Sequence, residues 1–295
     1  MEQDLDFFNS WDDLEQVAKL DKQLPDIIKY EGEFGSEVVT FLPFIYNLSL
    51  RGLIGDRKVS TYSGMKSYYY FLNRSNLVER KDRRHWVPSD RRWWPGSNEH
   101  QRIPTTGEKY PNFQHSHTKK EVLFIQNKYC VEWDEGPINF LSLDVLRKIF
   151  EETKDKCKII YSRQGILSND TQLGISIDHN TELLFEDLEL CEKYSHVKVL
   201  EKSHVFDFRS YNSKKLFWIN KAFLLVGVQG GSNYPWTFFN KAALVLHKRG
   251  SETNFSYRQG FYTYLSKPPL QLKVVDNDEL LYSEILKSFR SQFRN

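Results

Sequence analysis

Short apolar runs alternate with helical stretches from Glu121 to His247, and this alternation constrains the fold more than any other feature of the chain. EVLFIQNKY (Glu121–Tyr129) is a continuous apolar run that ends in polar residues. Ser142–Lys156 opens on a Ser cap and carries Leu143, Leu146, Ile149 and Phe150 at helical spacing. Lys158–Tyr161 is again a short apolar strand. Strand, helix and strand in that order predict a βαβ unit, which joins parallel strands by a right-handed crossover. The pattern then repeats. Thr181–Tyr194 reads as a helix, His196–Leu200 as a strand and Ser210–Lys221 as a helix. Ala222–Val228 reads as a strand running straight into Gln229-Gly230-Gly231-Ser232. A short helix over Trp236–Lys241 and a strand over Ala243–His247 complete one doubly wound α/β domain. Asp278–Phe293 is an amphipathic C-terminal helix with Leu281, Ile285, Leu286 and Phe289 on one face.

The first third of the chain has no such rhythm. Trp11–Tyr30 shows helical spacing that Pro25 should break. Glu37–Leu50 is rich in β-branched and aromatic residues and reads as a buried strand bent at Pro43. Arg51–Asp56 reads as a loop and Ser67–Leu72 as a second strand. Glu79–Arg102 is basic and aromatic, broken by Pro88 and Pro95, and the chain stays polar and loop-like up to His117. There is no internal repeat.

With 295 residues, the chain suits one large domain or two modest ones. Aromatics make up 15% of it, which excludes wholesale disorder. Basic and acidic residues nearly balance, 41 against 39, so any basic function must be a local patch and not a nucleic-acid-coating surface. Cys130, Cys157 and Cys191 are odd in number and lack CxxC spacing, which points to reduced thiols and against a disulfide framework or zinc site. The acidic N-terminus has no signal-peptide character, and the longest apolar runs are far shorter than a membrane span. These features predict a soluble, cytoplasmic protein with no transmembrane segment.

Ligands of open α/β sheets bind outside the carboxyl ends of the strands. Those ends read Asn127-Lys128-Tyr129 with Glu132-Trp133 beyond, Ser162-Arg163-Gln164-Gly165, Gln229-Gly230-Gly231-Ser232-Asn233, and Lys248-Arg249-Gly250-Ser251-Glu252. Lys128, Arg163, Lys248 and Arg249 would ring one rim beside a bare-backbone turn, which is what a diphosphate needs. Each member has a plainer reading. The Gly pair could be only a tight turn, Arg163 a surface ion pair and Glu132 a capping or solvated carboxylate. Neither a GxGxxG fingerprint nor a P-loop is present.

NKYCVEWDEGPINFLSLDVLRKIF, IIYSRQG and FLLVGVQGGSNYPWTFFNKAALVLHKRGSE together resemble a group of GT-B-type glycosyltransferase-like proteins from polysaccharide gene clusters and large algal viruses. FLPFIYNLSLRGLIG and SYYYFLNRSNLVERKDRR resemble the same group's N-terminal half. The resemblance implies two Rossmann-like lobes in a GT-B-like arrangement with the active site between them. Residues 1–118 would be the acceptor-side lobe and residues 119–265 the nucleotide-sugar lobe. Residues 266–295 would form a tail and helix that pack back on the first lobe. It implies a nucleotide-diphosphate sugar as donor substrate, no cofactor and no metal. Asn127, Lys128, Arg163, Gly230, Gly231, Ser232, Lys248 and Glu252 would hold the donor. Lys, Arg and backbone dipoles would then neutralise the leaving diphosphate.

An inverting transfer also needs a general base for the acceptor hydroxyl. Candidates are Glu79, His85, Glu132 and Asp170. Glu79 comes first because the resembling segment carries it. The family's Asn-His-x-Glu pattern has Leu77 in place of the His, between Asn76 and Glu79. Glu79 could equally form an ion pair with Arg83 one turn on. The segment Arg80–Trp94 combines Arg80, Lys81, Arg83, Arg84, Arg91 and Arg92 with His85, Trp86, Trp93 and Trp94. It suits a single-stranded nucleic acid, a sugar acceptor held by His85, Trp93 and Trp94, or simple packing of the Trp rings. The expected function is transfer of a sugar from a nucleotide-diphosphate donor to a glycan or glycoprotein acceptor, with no nucleic-acid partner. Its rivals are a nucleic-acid-binding or processing protein and a non-catalytic carbohydrate-binding protein.

Overall fold

The computed structural model describes residues 13–32, 34–82, 110–111, 122–129, 136–164, 186–202, 208–239, 241–249, 266–267 and 271–293. The chain divides into two compact units. One comprises Met1–Tyr110 and Thr171–Ser176, the other Pro111–Asp170 and Ile177–Asn295. Each is α/β and built on a parallel sheet.

The first unit starts with α1 (Leu14–Gln23), capped by Asp13, whose carboxylate accepts the N–H groups of Glu15 and Gln16. Three short parallel strands follow in the spatial order β1 (Ile27–Lys29), β2 (Lys58–Tyr62), β3 (Leu77–Arg80). The segment expected as a strand over Glu37–Leu50 is helical. A π-helical turn over Glu37–Phe41 leads into α2 (Leu42–Leu50). Val38, Val39, Phe41, Leu42, Phe44, Ile45 and Leu48 are all buried. A helix buried on every side loses the amphipathic signature, and its β-branched residues then imitate a strand. Pro43 lacks an N–H, and the wider turn stands immediately before it. The strand expected over Ser67–Leu72 is a series of turns. Tyr68, Tyr69 and Leu72 donate their N–H groups to the carbonyls three residues back.

The second unit is a six-stranded, all-parallel sheet. Its strands are β4 (Val122–Lys128), β5 (Lys158–Gln164), β6 (Val197–Val199), β7 (Ala222–Val228), β8 (Ala242–Leu246) and β9 (Gln271–Val275). Their spatial order is β9-β8-β7-β4-β5-β6. The chain therefore runs outward from β4 to β6, returns to pair β7 with β4, and runs outward again to β9. This is the doubly wound order, with its switch point between β4 and β7.

The helices are α3 (Leu143–Thr153), α4 (Glu186–Glu192), α5 (Phe208–Lys221) and α6 (Asp278–Phe293). Ser142 caps α3 by accepting the N–H of Val145, a contact worth ~1 kcal/mol. One face of the sheet, including Leu123, Ile125, Ile159, Leu224, Val226 and Leu244, packs with Leu146, Ile149 and Phe150 of α3 and Leu188 of α4. The alternate residues Phe124, Ile160, Leu225 and Val245 are buried too, so both faces are covered. Leu281, Ile285 and Phe289 of α6 join the first of these clusters, and the Phe289 ring meets Phe223 edge-on at 5.2 Å. The C-terminal helix, expected to pack back on the first lobe, thus spends its apolar face on the sheet of its own unit. The short helix expected over Trp236–Lys241 lies earlier, as a 3-10 helix over Gly231–Phe238. Cys157 and Cys191 are buried free thiols, and burial pushes Cys157 up to about 12. Cys130 lies outside the described residues.

Candidate functional site at the switch point of the six-stranded sheet

Two strand ends meet where the order reverses. β4 delivers Asn127 and Lys128, and β7 runs through Val228 into Gln229-Gly230-Gly231-Ser232. Gly227 in β7 is required by packing. A Cβ there would come within 2.7 Å of the Trp236 ring and 3.0 Å of the Gln126 carbonyl. That contact seats the helix after the turn directly on the strand before it. Gly230 has φ +145°, where L side chains are strained. The Gln229 N–H still donates to the Leu246 carbonyl at 2.9 Å, so the sheet ladder holds up to the turn. Beyond it the Asn233 N–H bonds the Gly230 carbonyl at 3.1 Å, and the Asn233 side-chain amide donates to the Val228 carbonyl. Gly231 and Ser232 open the 3-10 helix, so their N–H groups have no acceptor within that helix. Lys128, itself buried, brings its ammonium to this turn: a Cβ on Gly230 would sit 3.5 Å from Lys128 Nζ. A cation and a glycine turn therefore face one another at the ligand edge of the fold.

Asn127, expected to contact a donor, is committed to the framework. Its Oδ1 accepts the N–H groups of Leu141 and Lys128, and its Nδ2 donates to the Leu141 carbonyl and the Tyr161 hydroxyl. All four hydrogen-bonding positions of the amide are used. Asn127 thus ties the end of β4 to the start of α3.

Arg163 is also turned inward. It is 3% exposed, its Nε pairs with Asp187 of α4 at 2.8 Å, and its guanidinium lies 4.2 Å above the Tyr129 ring. Tyr161 donates to the same Asp187 oxygen at 2.6 Å. Burial beside Asp187 pushes the Tyr129 phenol up to about 12. A buried pair of this kind is broken only at high cost, so Arg163 is not a rim cation of the sort its place in the sequence predicts. Sequence position gave its strand end but not the acid waiting on α4.

Lys248 follows β8. Its amine pairs with Asp278 at the start of α6 at 3.2 Å and lies 4.9 Å from the Phe140 ring centre. Its own N–H and that of Arg249 are held by the side-chain carbonyl of Asn139. Among the predicted donor residues the structure therefore brings together Lys128, Gly230 and the turn continuing through Gly231 and Ser232. It sends Asn127, Arg163 and Lys248 to other partners.

Glu79 lies in the first unit, exposed on β3, where Oε1 accepts the backbone N–H of Lys66 at 3.0 Å. Asp170, Glu132, Glu252, His85, Trp93 and Trp94 lie outside the described residues. Two Asp-x-Asp triplets occur, Asp4-Leu5-Asp6 and Asp276-Asn277-Asp278. The first lies outside the described residues. In the second, Asp276 accepts from the Asn277 amide, Asn277 caps Leu280, and Asp278 holds Lys248. Among the described residues no three His, Cys, Asp or Glu side chains form a metal-holding group, and no helix is long and apolar enough to cross a membrane.

Sequence reasoning missed a buried polar layer behind the turn. Glu201, just after β6, accepts the Ser162 hydroxyl at 2.8 Å, the Tyr211 hydroxyl at 3.0 Å and the Arg163 N–H at 3.1 Å. Burial raises its carboxyl above the ordinary range. Lys215 of α5 is 1% exposed, and its ammonium donates to the Ser232 carbonyl at 3.0 Å. Tyr211 and Lys215 stand four apart, hence on one face of α5. A lysine between Tyr211 and the apolar Leu216 and Ile219 was the one available signal.

No protein-family model matches the chain, and no curated protein matches it in sequence. Among solved structures it is similar to E. coli ADP-heptose LPS heptosyltransferase II at 11% identity, over 94% of this chain and 80% of that one, with a TM-score of 0.43. It is similar to the wall teichoic acid polymerase TagF at 12% identity, over 60% of this chain and 39% of that one, with a TM-score of 0.30. It is also similar to S. aureus MnaA in its structure with UDP, at 14% identity over 97% and 72% of the two chains, with a TM-score of 0.33. The chain thus spans about two fifths of the length of the polymerase it matches.

Proposed function

We propose that the chain is a glycosyltransferase that moves a sugar from a nucleotide-diphosphate donor to a glycan acceptor, inverting and without a metal. The observation that supports it is the meeting of Lys128 with the Gly230–Ser232 turn at the switch point of a doubly wound sheet. The donor diphosphate lies on that turn. Backbone N–H groups and the Lys128 ammonium take up the charge that develops on the leaving diphosphate as the anomeric C–O bond breaks. The acceptor hydroxyl attacks the anomeric carbon, and Glu79 accepts its proton. His85, Trp93 and Trp94 hold the acceptor sugar, Glu252 belongs to the donor site, and Glu132 and Asp170 are the alternative bases. The resemblance in sequence to proteins of polysaccharide gene clusters and large algal viruses belongs to the same reading.

The test is release of the nucleotide from UDP-, GDP- and ADP-linked sugars by the purified chain, with and without excess EDTA. Turnover of one of them that survives EDTA is expected. No release from any donor, with no binding, would favour a non-enzymatic role. Tight oligonucleotide binding that weakens steeply with salt would favour the nucleic-acid reading.

A further inference from the structure

Among the described residues Lys215 is the most deeply buried cation near the proposed donor turn, and none of the chemistry above uses it. It projects from α5 into the protein and meets the turn from behind, through the Ser232 carbonyl. An apolar side chain of similar length would fill the same space without the cost of burying an amine. Packing alone therefore does not account for an amine here, and the geometry supplies a role for it. The bond to Ser232 fixes the peptide plane that follows Gly230 and Gly231. The ammonium also adds a second positive charge beneath the turn that Lys128 reaches from β4. Glu201 offsets part of the burial. It sits at the end of β6, tied to Tyr211 one turn earlier on α5 and to the end of β5 through Ser162 and the Arg163 N–H.

We infer that Lys215 is a positioning residue of the donor site. It locks the Gly230–Ser232 turn into its diphosphate-binding shape and lends it positive charge in a protonation-dependent way. The inference rests on the donor-site reading above. Among the described residues, the charged group that acts on this amine is Glu201 from the end of β6. Burial pushes the Lys215 amine down to about 7, against the pull of Glu201, which raises it. Near neutral pH the amine is therefore divided between its charged and neutral forms. A bound anion favours the charged form. Binding of a diphosphate should then draw a proton onto Lys215, and affinity should fall as pH rises through this range.

Calorimetric titration of the full chain with UDP-glucose, GDP-mannose and ADP-glucose tests this. These diphosphate diesters do not titrate near neutrality, so any proton taken up belongs to the protein. Repeating the titration at pH 7.5 in buffers of different ionisation enthalpy reads that uptake directly. The expected result for wild type is fractional proton uptake and affinity that declines from pH 6.5 to 8.5. Lys215→Met should bind about 10- to 100-fold more weakly, with no uptake and a flat profile. Lys215→Arg, which stays charged, should also flatten the profile. The wild-type uptake is informative even if neither variant folds. Binding without proton uptake, or an unchanged profile in Lys215→Met, overturns the role of Lys215 and leaves the donor site standing. Failure of every nucleotide sugar to bind wild type overturns the donor site itself, and this inference with it.

Discussion

Lys128 and Gly230 meet across the switch point of the six-stranded sheet, with Lys128 Nζ 3.5 Å from where a Cβ on Gly230 would stand. The lysine ends β4 and the glycine follows β7, strands far apart in the chain and neighbours only because the sheet reverses there. Lys128→Met keeps the length and removes the charge. It should weaken nucleotide-diphosphate binding about 10- to 100-fold, the range expected for loss of a charged hydrogen-bond donor, and should reduce the salt dependence of that binding. Fluorescence titration at two ionic strengths would check both.

Gly227→Ala addresses the seating of the turn. The added methyl would enter the Trp236 ring contact at 2.7 Å and crowd the Gln126 carbonyl. Overpacking of this kind costs about 1–3 kcal/mol, so urea denaturation should show a lower midpoint with an unchanged slope. A variant as stable as wild type would mean the ring moves aside freely.

Lys215 also gives the fold a pH signature, and its direction is fixed. The amine is held at about 7 in the folded chain against 10.5 unfolded. Between those values the unfolded chain binds more protons, so stability rises with pH and levels off once both states are neutral. Below about 7 the folded chain carries the whole cost of the buried charge. The stability of wild type relative to Lys215→Met should therefore increase from pH 7 to pH 10. A difference that does not change with pH would contradict the burial of a titrating amine.

The second unit was largely legible in the sequence because most of its elements carry a local signal; β9 (Gln271–Val275), a short edge strand in the segment expected to be a tail, was not read. Ala222–Val228 and Asp278–Phe293 run over the residues expected of them, since an apolar run bounded by polar turns and an amphipathic stretch are local signals. The first unit was legible only in part: α1 (Leu14–Gln23) ends just before Pro25, as the spacing over Trp11–Tyr30 predicts, and Arg51–Asp56 is turn and loop as expected. β1 is three residues long and hides inside a stretch with helical spacing, while the helix over Glu37–Leu50 is buried all round and so has no polar face to reveal it. The site was half legible. Gly230 and Lys128 are visible as strand-end residues, whereas the fates of Arg163 and Asn127 depend on Asp187 and Leu141, partners that only the tertiary structure supplies. Lys215 and Glu201 lay hidden for the same reason.

Glu79→Gln tests the acceptor side. The amide keeps an oxygen for the Lys66 N–H, so the fold should be unaffected. Loss of the base should slow transfer ~10²–10⁴-fold with donor binding nearly unchanged. Trp93→Ala should instead raise the acceptor concentration needed for half-maximal rate. Transfer by Glu79→Gln at close to the normal rate would move the base to Asp170 or Glu132.

The most direct measurement is calorimetric titration of wild type and Gly230→Val with the nucleotide sugars UDP-glucose, GDP-mannose and ADP-glucose. A β-branched side chain at φ +145° strains the turn and crowds the Lys128 amine, while the sheet on either side stays paired. The account predicts saturable one-to-one binding of at least one nucleotide sugar to wild type, and none to a Gly230→Val chain that retains its circular-dichroism spectrum. Equal affinity in the two proteins, or no binding to wild type, would contradict a donor site at the β4–β7 switch point.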